Sequence, residues 1–281
     1  MQEGFSPWQG GERGHIMSII NPVDRNKVNV SVNGRQYQLL SDLHTHTVYS
    51  HGKGSVEDNI RAALDLGIRT IGIADHGPGH LGFGVPRKKL TEQKAEIRAL
   101  RLKYPDVEIL FGVEANIIAT EAGIDIKPQE FSYFDFVCAG WHYGAMDGLS
   151  PGGIASTLAN LARSRVEQAS QRQIKRNTDM IVHALEHDQI KFLTHPGDKA
   201  PVDLLEIAAV CARTGTLIEI NTSHMSLTAE DLRMMMLTDV RFIVNSDAHT
   251  PDRVGDFLPA LALIAEAGIG MERVVNLQCV S

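Results

Sequence analysis

Asp42-Leu43-His44-Thr45-His46 follows an alternating, β-rich run and places two imidazoles at i and i+2. On an extended backbone such residues project to the same side, so His44 and His46 can grip one ion. The device recurs along the chain. Residues 37–43, 70–74, 107–113, 134–139, 191–194, 216–220 and 241–246 read as seven strands, separated by helical runs. One helix is expected over 55–66 with Ser55 as its cap, one over 88–104 ended by Pro105, a long one bent within 154–187, and one over 252–268. Residues 274–276 read as a last short strand.

Such alternation predicts βα units around a parallel sheet, and in a barrel the carboxyl ends of all strands meet on one face. Chemistry-bearing residues gather at those ends. The first strand carries His44, His46 and, after Ser50, His51; the second ends in Asp75-His76; the third in Glu114; the fourth in Trp141-His142. The fifth ends in Thr194-His195-Pro196 and the seventh in Ser246-Asp247-Ala248-His249, while the sixth, Glu219-Ile220-Asn221, offers no histidine. A lone histidine at a strand end is usually a hydrogen-bonded structural residue. Seven of them at five strand ends, with carboxylates at two, form a joint pattern that points to a metal site. Imidazoles with few carboxylates suit zinc, manganese or iron better than calcium.

The bulk numbers set limits. A chain of 281 residues with 43% hydrophobic content can build one large core. Its net charge of −7 argues against an extended nucleic-acid surface. The three cysteines lack metal or disulfide spacing, which fits a reducing cytoplasm. No secretory signal or membrane-length apolar run is seen. Residues 1–34 read as a polar tail or leader, with Met17 as an alternative start, and residues 35–281 as a single catalytic domain.

The motifs Asp42-Leu43-His44-Thr45-His46, Ala74-Asp75-His76, Thr194-His195-Pro196-Gly197 and Asn245-Ser246-Asp247-Ala248-His249 resemble those of the PHP (polymerase and histidinol phosphatase) superfamily. The stretch Gly112-Val113-Glu114-Ala115-Asn116-Ile117 strengthens the likeness to its stand-alone bacterial phosphatases with three zinc ions. The resemblance implies an α/β fold, a distorted (β/α)7 TIM-like barrel. It also implies that His44, His46, Glu114 and Asp247 hold one metal, that Glu114 bridges to a second held by His142 and His195, and that His51, His76 and His249 hold a third. The implied reaction is hydrolysis of a small phosphomonoester by a hydroxide bridging two ions, with Glu114, Asp247 and Asp75 as the catalytic residues. Asp75 would orient an imidazole or carry a proton, the former being favoured. Histidinol phosphate, nucleotides and sugar phosphates are all open as substrates.

Weaker signals surround this centre. The glycine-rich loop 76–86, with His80 and Phe83, suits a substrate cover, and His80, Arg87 and Asn221 are candidate substrate contacts, with His224 beside them. His183-Ala184-Leu185-Glu186-His187 matches an inverted zinc-peptidase motif, yet it should sit at the opposite rim as a solvated helix end. Two other classes compete. An amidohydrolase would use a bridging lysine from strand four, where this chain has Trp141-His142. A non-enzymatic scaffold would be expected to have lost ligands, whereas all nine positions are filled.

Overall fold

The computed structural model describes residues 29–32, 35–118, 123–145, 154, 158 and 170–280. Seven parallel strands lie side by side in sequence order: β3 (Ser41–Thr45), β4 (Thr70–Ile73), β5 (Glu108–Asn116), β6 (Phe136–Gly140), β7 (Phe192–Leu193), β8 (Leu217–Asn221) and β9 (Phe242–Asn245). Between and after them run α1 (Val56–Asp65), α2 (Arg87–Lys103), α3 (Gln171–His187), α4 (Leu204–Thr214), α5 (Ala229–Met235) and α6 (Leu258–Ala267). Local chemistry supports the helix ends: Ser55 and Asp58 form a reciprocal capping box on α1, and Gly215 and Gly268 close α4 and α6 in the left-handed conformation.

Strand periodicity sorts the side chains. Phe136, Cys138, Phe192, Leu217 and Ile243 form an apolar cluster apart from the larger one in which Val137, Ala139, Leu193, Ile218, Phe242 and Val244 pack with helix residues. Alternation along β8 then puts Glu219 and Asn221 on the Leu217 face, and along β5 puts Glu114 on the Gly112 face. Polar groups thus appear inside the barrel only toward the carboxyl ends.

The sheet is nearly closed, and its seam between β3 and β9 is joined by side chains as much as by backbone. His46 N–H donates to the Ala248 carbonyl at 2.8 Å, and a single parallel bridge links Thr45 to Ala248. The Leu43 amide donates to Asn245 Oδ1 at 2.9 Å. Asp42, fully buried, accepts from the Ser246 amide at 3.1 Å, the Ser246 hydroxyl and the Gly255 amide at 2.8 Å. This is the distorted seven-stranded α/β barrel anticipated from the strand count.

Three expectations need correction. The strand expected over 37–43 is two strands in two sheets: β2 (Arg35–Leu39) pairs with β1 (Asn29–Val32) and with β10 (Leu277–Cys279) in an antiparallel sheet, and the chain crosses to β3 at Leu40. The Leu40 amide donates to the Asn276 carbonyl there, at the point where the hydrogen-bonding partner changes from one sheet to the other. The last strand is β10, three residues later than expected; β1 lies within the stretch assigned to the tail. The helix expected over 252–268 is a 3₁₀ turn, Pro251–Arg253, followed by α6, because Gly255 takes φ +71° and turns its amide to Asp42. Of the long helix expected over 154–187, α3 is described from its Ser170 cap, and most of the remainder lies outside the described residues.

His183 and His187 stack on each other at 4.2 Å near the carboxyl end of α3, beyond which Asp188 sits half-buried with Oδ2 unpartnered. Burial raises the Asp188 carboxyl to about 6, against the opposing pull of His183 and His187. A raised carboxyl favours the fold below the unfolded pKa and loses that contribution as pH climbs through 6. Asp188→Asn should therefore stabilise the protein by about 1 kcal/mol at pH 8, after discounting for solvent screening, and by almost nothing at pH 3.5. Urea titrations at the two pH values test this. In the same assay, Asp42→Ala should cost about 3 kcal/mol, since it orphans the buried amides of Ser246 and Gly255 across the seam.

Candidate metal centre

Glu114 is the hub. Its carboxylate, 1% exposed, has Oε2 at 2.9 Å from His76 Nδ1, 3.4 Å from His44 Nε2 and 3.6 Å from His46 Nε2. Its Oε1 lies 3.0 Å from His195 Nε2 and 3.2 Å from His142 Nε2, and accepts the Thr194 hydroxyl at 2.9 Å. Asp247 Oδ1 is 3.1 Å from His46 Nε2 and 3.5 Å from His44 Nε2. His249 Nε2 faces His51 Nε2 at 2.5 Å, and His142 Nε2 faces His195 Nε2 at 3.3 Å. All nine residues expected at the metal site fall in this one cluster. Three sets have ligand atoms mutually within 4.8 Å: His44, His46 and Asp247; His46, His51 and His76; His76, Glu114 and His142.

The donor set fits divalent metal ions. Among the described residues, His44 Nε2, His51 Nδ1, His76 Nδ1 and Asp247 Oδ1 are buried without a hydrogen bond, although buried polar atoms normally have one. Burial raises the cost of ionising Glu114, but His142, His44 and His76 outweigh it and hold the carboxyl well below the usual range. Burial likewise opposes ionisation of Asp247, and His44 and His46 reverse that. Burial lowers His142 to about 3, and burial with His249 and His76 lowers His51 to about 4. His46 is also held well below its normal value, chiefly by burial. Burial also opposes charge on His44 and His195, but Asp247, Glu219 and Glu114 outweigh it at the first and Glu114 at the second, and both are raised. Metal binding requires neutral imidazoles beside ionised carboxylates and would release the protons those two rings hold.

A supporting layer aims these rings. Glu219 Oε1 accepts from His44 Nδ1 at 2.8 Å and from Asn245 Nδ2 at 2.9 Å, while Oε2 accepts from the His195 amide at 3.0 Å and Asn221 Nδ2 at 2.8 Å. The first contact fixes the His44 tautomer so that Nε2 faces the centre. Asn116 Oδ1 accepts from His142 Nδ1 at 2.9 Å, and Asn116 is held in turn by Asp125. Gly140 is needed for clearance: a Cβ there would run into Thr194 Oγ1 and come within 3.0 Å of the His195 ring. Two of the candidate ligands, His195 at φ +28° and Asp247 at φ +50°, sit in the left-handed region, where non-glycine residues cost roughly 1 kcal/mol or more.

The other candidates are placed as follows. Asp75 accepts from the Thr47 amide at 2.7 Å, the Thr47 and Ser50 hydroxyls and Gln93 Nε2, and stands 3.8 Å from His46 Nδ1. It fastens the turn that carries His51. Asn221 is engaged on both sides, donating to Glu219 and Asp247 and accepting from the Ser223 and His224 amides. Arg87 pairs with Glu130 and reaches the Asp125 carbonyl. His80 stacks on His76 at 4.9 Å. His224, partly exposed, has Nδ1 3.3 Å from Asp198 and Nε2 3.7 Å from Asp247 Oδ2.

Sequence reasoning missed Glu219, Asn116 and Asn245. A charged residue in the apolar run Leu217-Ile218-Glu219-Ile220 was the available signal for Glu219, since a buried carboxylate needs partners. Glu219→Gln should weaken zinc binding about 10-fold or more while leaving the circular dichroism spectrum unchanged. Competition against a chromophoric chelator measures it, and unchanged affinity would remove the positioning role.

A PHP domain model matches residues 42–223. A "Probable phosphatase" of Thermoanaerobacter sp. (strain X514) is 29% identical over 257 residues, covering 85% of this chain and 91% of that protein. Another of that name from Shewanella sediminis (strain HAW-EB3) is 29% identical over 254 residues, covering 85% and 90%. Among solved structures, histidinol phosphate phosphatase from Lactococcus lactis, complexed with zinc, L-histidinol and phosphate, superposes with a TM-score of 0.51 at 17% identity, over 82% of this chain and 94% of that one. At that identity the likeness speaks for the fold. The family model covers well over half of the chain, which therefore belongs to the PHP domain family.

Proposed function

We propose that this PHP-family phosphatase removes the phosphoryl group from a small phosphomonoester and works with three divalent metal ions, zinc first among them. The observation that carries the reading is the cluster itself: Glu114 and eight further ligand-type side chains, with lone pairs that no hydrogen bond within the described residues satisfies. The phosphatase relatives and the zinc, histidinol and phosphate of the Lactococcus protein support it.

His44, His46, Glu114 and Asp247 would hold one ion, Glu114, His142 and His195 a second, and His51, His76 and His249 the third. Bound there, the ions supply Lewis acidity toward phosphoryl oxygens and a water acidic enough to act near neutral pH. The chain's own residues do the rest. Glu114 offers one carboxylate oxygen to each side of the cluster, and Thr194 holds Oε1 in place. Glu219 fixes His44 from behind and adds a third negative charge to those of Glu114 and Asp247. Three dications against three carboxylates leave a net charge of about +3, enough to draw a phosphate into a chain whose formal net charge is −7. Asp75 has its oxygens occupied by donors from Thr47, Ser50 and Gln93, which favours anchoring over proton transfer. The catalytic groups proper are then Glu114 and Asp247. Among the described residues, no helix is long and apolar enough to cross a membrane.

Metal-replete protein screened against a phosphomonoester library should release phosphate and lose that activity on chelation; no release from any member, with metal shown to be bound, would overturn the reading. Glu114→Gln should lower turnover by about 100-fold or more and reduce the metal-to-protein ratio, with the barrel still folded by circular dichroism. Normal turnover at full occupancy would exclude Glu114 as the bridge.

A further inference from the structure

The loop between β4 and α2 builds a second feature onto the metal centre. His51, His76, His80 and Phe83 close a ring of four stacked planes: His51 to His76 at 4.9 Å, His76 to His80 at 4.9 Å, His80 to Phe83 at 5.2 Å and Phe83 back to His51 at 4.4 Å. The interplanar angles are all 30° or less. Two members of this ring are ligand-type residues of the centre, and the other two belong to the loop.

The loop is held in place. The Gly82 and Phe83 amides both donate to His80 Nδ1, at 3.2 and 3.1 Å, and the Leu81 amide donates to the Gly144 carbonyl at 2.9 Å. The Gly84 and Val85 amides return to the His80 and His76 carbonyls at 3.0 and 3.1 Å. An imidazole that accepts two amides at Nδ1 presents an uncharged ring, so the wall it forms with Phe83 is apolar. Despite the stacking on His51, Phe83 remains 46% exposed, and Leu81 beside it 61%. Leu81 and Phe83 together leave exposed apolar surface beside the polar centre, and it is contiguous apolar surface of this kind, not a lone side chain, that marks a place for a ligand.

Resting on the phosphatase reading, we propose that Phe83 is a specificity-determining residue whose open surface receives the leaving group, and that the preferred substrates are phosphomonoesters with a planar aromatic or heteroaromatic leaving group. A phosphoryl group drawn to the cluster lies within one ring's breadth of His51 and His76, so whatever it is esterified to projects past them. An anchored aromatic residue there costs no ordering on binding, and a stacked pair is favoured in its offset geometry. Polyol and sugar leaving groups gain little from such a wall.

Non-hydrolysable ligands separate this from leaving-group reactivity. Calorimetry on the metal-loaded protein should give benzylphosphonate a Kd about 3- to 10-fold below that of methylphosphonate, the size of one ring contact. In Phe83→Leu, which keeps bulk and removes the ring, the ratio of the two constants should fall to about one, and Phe83→Tyr should restore most of it. A wild-type ratio near one, or a ratio unchanged in Phe83→Leu, would overturn the proposal. Binding is read directly, so absence of turnover in the library screen would sink the hydrolytic reading and leave this result standing by itself.

Discussion

The structure turns on the cost of burying Glu114. An ionised carboxylate removed from water loses several kcal/mol of solvation unless charge or hydrogen bonds replace it. Here the replacement comes from imidazoles carried by four strands, β3, β4, β6 and β7, with His142, His44 and His76 foremost in holding Glu114 ionised. That arrangement is incomplete as protein alone. Several nitrogens and an Asp247 oxygen point inward without partners, which is the signature of a cavity lined for cations. Glu219 repeats the problem one layer down and solves it with donors from His44, Asn245, Asn221 and the His195 backbone.

How much of this the sequence discloses depends on whether the information is local. The seven barrel strands and the ligand-type residues at their ends were legible because short β-rich runs between helical ones, and the histidines that follow them, are written in neighbouring residues. The break at Leu40 was not, since the β-rich run of residues 37–43 carries no turn residue where the chain switches between sheets. The helix end near Gly255 depends on a bond to Asp42, 213 positions away, which no propensity encodes. Glu219 stands in mid-strand and acts by steadying histidines that belong to other strands, a role that only the folded arrangement displays.

The rim shows a division of labour. On one side, around Asp247 and His195, the neighbouring residues are polar and tied down: Asn221 caps the turn amides of Ser223 and His224, and His224 leans on Asp198. On the other side the loop after β4 presents aromatic faces over His51 and His76. The barrel interior has little freedom to vary, because each ligand is wedged against another ring. The loops are free of that restriction, so selectivity among phosphoesters can change there without disturbing the centre.

The seam between β3 and β9 joins residues about two hundred positions apart. Bringing such distant segments together is entropically the slowest kind of contact to form, although its cost grows only with the logarithm of the separation. His44 and His46 stand on one side of that join and Asp247 and His249 on the other. An ion held by both sides would therefore act as a reversible cross-link between the two ends of the barrel, and loading the centre and finishing the fold would then be one equilibrium.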